Sequence, residues 1–126
     1  MEDFVTFELA KKLKEKGFDC SCIGHYVNNQ LYIAHYLNAF HSDKDESLDA
    51  PTISQVSKWL REEKEIDILL QPIFLYNVLY NETSRERKYG IKIYAPQLNK
   101  PTHMDYFKNW EKGAIAGIEY VLDNLI

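Results

Sequence analysis

Apolar residues recur at helical spacing in three stretches of the chain and alternate with polar ones between them. Leu9, Ala10 and Leu13 form a stripe with lysines on the opposite face, which predicts a helix from about Thr6 to Lys16. Gly17 then suits a left-handed C-terminal cap, with Phe18 folding back onto the last turn as in a Schellman motif. Thr52-Ile53-Ser54-Gln55 fits a capping box and starts a second helix whose buried stripe is Ile53, Val56, Trp59 and Leu60, fading through Glu62-Glu63-Lys64. The last helix starts between Asp105 and Trp110, with Asn109 as its cap. Trp110, Ala114, Gly117, Ile118, Val121, Leu122 and Leu125 form its stripe. Gly113, Ala114, Ala116 and Gly117 are small enough to let it lie close on a sheet.

The alternating stretches predict strands. Ile23, His25 and Val27 alternate with Gly24 and Tyr26, and Asn28-Asn29 supplies a tight turn because Asn tolerates positive φ. The return strand runs from about Leu31 to Leu37, with faces Leu31/Ile33/His35 and Tyr32/Ala34/Tyr36, so that Tyr26, Tyr32 and Tyr36 share one face. Residues 38–49 are polar and acidic and predict a loop. Three more strands are expected at about 65–71, 73–80 and 89–95. The middle one is apolar on both faces, with Phe74, Tyr76, Val78 and Tyr80 on one and Ile73, Leu75 and Leu79 on the other. That pattern places it centrally. Residues 81–88 read as a charged hairpin loop. The expected fold class is α+β, a mostly antiparallel sheet of about five strands with three helices on one side, in the order α-β-β-α-β-β-β-α. Without a linker or an internal repeat, residues 1–126 form a single expected domain, large enough to fold without metal or disulfide.

Charge narrows the functional classes. Residues 1–50 hold five Lys/Arg against nine Asp/Glu, and the rest of the chain is balanced. A protein that neutralises phosphates carries a basic excess, so broad nucleic-acid binding is disfavoured. An acidic start and the lack of any long apolar run imply a cytoplasmic protein with no membrane partner. Cys20 and Cys22 read as free thiols, since a disulfide between such close neighbours is strained.

The segments FVTFELAKKLKEKGF, APTISQVSKWLREE and NWEKGAIAGIEYVLDNLI, in that order, resemble a group of small proteins of gut Bacteroidetes, commonly encoded by prophages and other mobile elements. The likeness spans nearly the whole chain, and its motifs are helix caps, apolar stripes and a small-residue helix. It implies a mobile-element accessory role and carries no catalytic residues.

Candidate chemistry is sparse. Cys20, Cys22 and His25, with His35 or His41, have the residue types of a zinc site, but not the C-x₂₋₄-C spacing on a turn. Either cysteine beside a histidine could act as a nucleophile, although Asp19 opposes a lowered thiol pKa. Residues 43–48 begin like a calcium loop and fail at Leu48 and Ser54, where Gly and Glu are required. Arg85, Arg87, Lys88 and Lys92 form the basic cluster, on a stretch whose element order echoes double-stranded RNA-binding domains, although Glu86 interrupts it. Strand tyrosines offer a stacking platform for single strands, or a half-buried sheet surface. No catalytic, cofactor-binding or metal-ligating set is assigned from the sequence, and no cofactor is expected.

The expected function is therefore a non-catalytic protein-interaction module that binds a partner protein or its own copy, most simply as a homodimer. Tyr32, Tyr36, Phe74, Tyr76 and Tyr80 are its candidate surface. The alternative is a weak nucleic-acid binder using the basic hairpin at 85–92. An enzyme ranks behind both.

Overall fold

The computed structural model describes residues 3–33, 47–76 and 85–126, without the side chains at 47, 73–76, 85–87 and 106. Nine elements follow one another in the order α1 (Phe7–Glu15), β1 (Gly24–Val27), β2 (Gln30–Ile33), β3 (Ser47–Ala50), α2 (Ile53–Lys64), β4 (Asp67–Tyr76), β5 (Arg85–Tyr94), β6 (Thr102–Phe107) and α3 (Trp110–Asn124). The strands form two three-stranded antiparallel sheets, ordered β2-β1-β3 and β4-β5-β6. The protein is thus α+β with three helices and antiparallel pairing, as expected. The single five-stranded sheet and its order α-β-β-α-β-β-β-α are corrected to six strands in two sheets.

Each helix is bounded by the signals read from its residues. Thr6 caps α1, its hydroxyl accepting from the Leu9 N–H at 3.2 Å. At the other end Gly17, with φ +90°, donates to the Lys14 carbonyl while Phe18 donates to that of Leu13, which completes the Schellman pair. Around Thr52 the capping box closes in both directions. Thr52 Oγ1 accepts from the Gln55 N–H at 3.1 Å, and Gln55 Oε1 accepts from the Thr52 N–H at 2.9 Å. Replacing Thr52 with Ala is expected to lower stability by about 1 kcal/mol, since a first-turn N–H loses its partner. Chemical denaturation measures this, and an unchanged midpoint contradicts it. Asn109 caps α3, accepting from the Lys112 N–H at 2.9 Å.

The predicted stripes of α1 and α2 and most of that of α3 share one core with β3 and β5: Leu9 and Leu13, Val56 and Leu60, Leu48, Ile91 and Ile93, and Ile118 and Leu122. Trp110 is the exception in α3, lying exposed at its first turn. Gly113 and Gly117 bring α3 against β4 and β5. A Cβ at Gly117 would stand 3.0 Å from both Ile68 and Ile91. Lys12 ties α1 to α3, its ammonium 3.1 Å from both Glu119 and Asp123, hydrogen bonds that raise its pKa.

Three strand predictions need correction. Residues 47–50, placed mostly in an acidic loop, form β3, where Leu48 and Ala50 are buried and Asp49 is exposed. The strands expected at 65–71 and 73–80 are, over Asp67–Tyr76, one strand through Pro72, and among the described residues β4 flanks β5 rather than lying centrally. An edge position tolerates a residue without an N–H. Residues 85–88, read as hairpin loop, belong to β5. β6 was not anticipated. Phe107 faces Tyr89 and Met104 faces Ile91, so three steps along β6 match two along β5. This bulge sets both side chains against the core at helix-like spacing. The return strand beyond Ile33 and the calcium-like stretch at 43–46 lie outside the described residues.

Candidate association surface

The hairpin β1-β2 is shaped by its turn. Asn28 and Asn29 have φ of 51° and 69°, the left-handed pair of a type I′ turn, whose twist matches that of the strands it joins. Register follows directly, with Val27 opposite Gln30, Tyr26 opposite Leu31, His25 opposite Tyr32 and Gly24 opposite Ile33. β1 is covered on its other edge by β3, which sets Leu48 beside Tyr26 and Asp49 beside His25.

One face of this sheet packs on α1. The Phe7 and Tyr26 rings meet edge to face at 5.5 Å, and the Tyr26 hydroxyl donates to the Val5 carbonyl at 2.6 Å. Burial raises the Tyr26 pKa. The opposite face carries His25, Tyr32 and Asp49, with His25 Nδ1 3.2 Å from Asp49 Oδ1. Tyr26 and Tyr32 therefore lie on opposite faces. The stacking face expected of them is excluded, because cross-strand partners, not residues six apart, share a face.

β2 is the outlying strand. Among the described residues only β1 pairs with it, and its four side chains are all exposed. Leu31 is 39% exposed, Tyr32 41% and Ile33 56%, with Ile23 also exposed just before β1. The Tyr32 hydroxyl donates to Gln30 Oε1 at 2.9 Å. Residues 28–33, Asn-Asn-Gln-Leu-Tyr-Ile, carry no charge. Edge strands are ordinarily guarded by lysine, proline or a bulge, and this edge has none of these among its described residues.

Tyr36 and Tyr80 lie outside the described residues. The backbones of Phe74 and Tyr76 stand opposite Arg87 and Arg85 in the β4–β5 register. Ile68 and Leu70 of β4 pack beneath α3. The face of this sheet away from α3 presents Leu69, Gln71, Tyr94, His103 and Asp105. The basic positions also divide. Arg85 and Arg87 share parity with Ile91 and Ile93, whereas half-buried Lys88 and Lys92 share the alternate one. The basic stretch at 85–92 lies within strand β5, paired antiparallel with β4.

Both cysteine thiols are held above their ordinary pKa. Cys22 is buried and donates to the Cys20 carbonyl at 3.3 Å, and burial, with Asp49 adding, pushes its thiol up to about 11. Cys20 is also raised, by burial and then by Asp19 and Glu63. Among the described residues no three His, Cys, Asp or Glu side chains converge as a metal site; His35 and His41 lie outside them. A thiol whose pKa is higher folded than unfolded favours the fold below its ordinary value near 9 and loses that contribution as pH rises toward about 11. Wild type is therefore expected to lose stability relative to Cys22→Ala over that interval. Denaturation midpoints at either end check it, and a gap independent of pH contradicts it.

Three clefts flank these elements. The one between α1 and the hairpin, about 200 Å³, is lined by Phe7, Lys11, Lys14, Glu15, Asn28, Asn29 and Leu48, with the Lys11 ammonium 5.3 Å from the centre of the Phe7 ring. A second, about 370 Å³, continues past Lys14 and Leu48 to Phe18, Asp19 and Asp49. A third, about 250 Å³, lies over Cys20, Trp59 and Glu62. Their charges are mixed and select no ligand class.

No family model, curated protein or solved structure matches the chain. Leu31 and Ile33 were not singled out from the sequence. Their signal was the absence of charge from 28 to 33, which gains meaning only once β2 is known to lie at an edge.

Proposed function

We propose that the protein is a non-catalytic interaction module that associates through the outer strand β2. The exposure of Leu31, Tyr32 and Ile33 on an uncharged edge carries this reading. Apolar side chains beside backbone donors and acceptors that no described strand pairs offer both affinity and register to an added strand. The protonated thiols and the mixed charge of the clefts support a binding role over a catalytic one. The likeness of its three helical segments to proteins of mobile elements supports an accessory role in the cytoplasm. No helix among the described residues is long and apolar enough to cross a membrane.

The test compares wild type with Ile33→Lys, a change at an exposed position that places charge on the edge. Wild type is expected to associate, with itself or with a protein retained from host lysate, and the variant to lose that association while keeping its denaturation midpoint. Equal association by both proteins, or by neither, overturns the proposal.

A further inference from the structure

Deepening that reading, on which it rests, we infer that the strand added to β2 is β2 of a second copy, antiparallel and related by a two-fold axis at Tyr32. The backbone alternation carries this step. A two-residue type I′ turn makes Val27 and Gln30 a hydrogen-bonded pair, so His25 and Tyr32 are the next one along the ladder. The N–H and C=O groups of Gln30 and Tyr32 are thus directed to β1. Those of Leu31 and Ile33 are directed outward, symmetrically about Tyr32.

A strand of the same sequence satisfies that edge. With the axis at Tyr32, Leu31 of one copy meets Ile33 of the other, and each pair exchanges two backbone hydrogen bonds. Tyr32 then meets Tyr32 in the closer, non-hydrogen-bonded position, about 4.5 Å between Cα atoms. Leu31 and Ile33 pack together on one face while the tyrosine pair occupies the other. Charge also agrees: although the chain carries a net −4, residues 28–33 are uncharged, so no like charges among them confront one another across the axis. A two-fold axis needs such a self-complementary patch.

The interface is small. Four residues of strand extend only about 13 Å, and association of this size depends on concentration, below the standard of about 1,600 Å² for stable complexes. Wild type is therefore expected to pass from the 14.8 kDa monomer toward twice that mass as concentration rises.

Charge exchange at Tyr32 tests the axis. Tyr32→Lys and Tyr32→Asp are each expected to remain monomeric by light scattering, because two like charges meet at the axis. Their equimolar mixture is expected to form a heterodimer. Wild type that stays monomeric up to about 1 mM overturns self-pairing, while loss of partner retention in Ile33→Lys would still uphold the broader interaction reading. Variants that dimerise as wild type does place the interface elsewhere and overturn the inference, as does a mixture that fails to pair. If either charged variant loses its fold, Ile33→Lys replaces it: monomeric Ile33→Lys sustains the edge, and dimeric Ile33→Lys overturns it.

Discussion

Gly117→Val is expected to destabilise the protein by about 3 kcal/mol, whereas Gly117→Ala stays within about 1 kcal/mol of wild type. The first added carbon would lie 3.0 Å from Ile68 Cγ2 and equally close to Ile91 Cδ1. Both neighbours are side-chain ends that shift by a few tenths of an ångström, and alanine gains helix propensity in exchange. The branched methyls of valine reach further than such small shifts accommodate, and Ile91 is buried in a close-packed core. The remaining response is to lift α3 from β4 and β5, which opens the core. Denaturation of the two variants measures the difference. Equal midpoints would show that α3 does not lie as close to the sheet as described.

Gly24→Ala is expected to cost about 2 kcal/mol, the overlap outweighing what a strand gains by losing glycine. Its Cβ would lie 2.6 Å from Phe4 Cε1 and 2.8 Å from the Ala50 carbonyl oxygen. Neither neighbour retreats easily. Ala50 stands opposite Gly24 in the β1–β3 ladder. Phe4 is held by the segment around it, where the Val5 N–H donates to the Pro51 carbonyl at 3.0 Å and the Ile53 N–H to the Asp3 carbonyl at 2.9 Å. A midpoint shifted downward with unchanged denaturant dependence fits this account, and a more stable variant contradicts it.

These two glycines show how unevenly the fold was legible. Gly117 falls in a Gly/Ala-rich helix, so its packing role is visible in periodicity alone. Gly24 sits in a strand, and its close contact with Phe4 joins residues twenty apart, which no local pattern reveals. Helix ends were legible because capping is local: Thr52 and Gln55 find each other within one turn. The strands were harder. Pro72 divides the pattern of β4, yet the ladder runs through it because the strand lies beside only β5 among the described residues. In β6, Met104 and Phe107 both reach the core through a bulge, so period-2 alternation is lost.

The candidate surface was legible in part. Tyr32 was placed correctly as exposed, but its supposed companion Tyr26 turned inward toward Phe7 and Val5. A sheet face is set by register, and register here depends on the length of the Asn28-Asn29 turn. In β4 it is Ile68 and Leu70 that meet α3, because an apolar strand names its buried side only once a helix is laid on it.

Amide hydrogen exchange on the unmodified protein tests the edge pairing most directly, residue by residue, at low and high concentration. Gln30 and Tyr32 donate toward β1 and are expected to exchange slowly at both. Leu31 and Ile33 are expected to exchange quickly when dilute and to slow as concentration rises, as their N–H groups become bound to the second copy. Exchange at Leu31 and Ile33 that is equally fast at both concentrations contradicts the account.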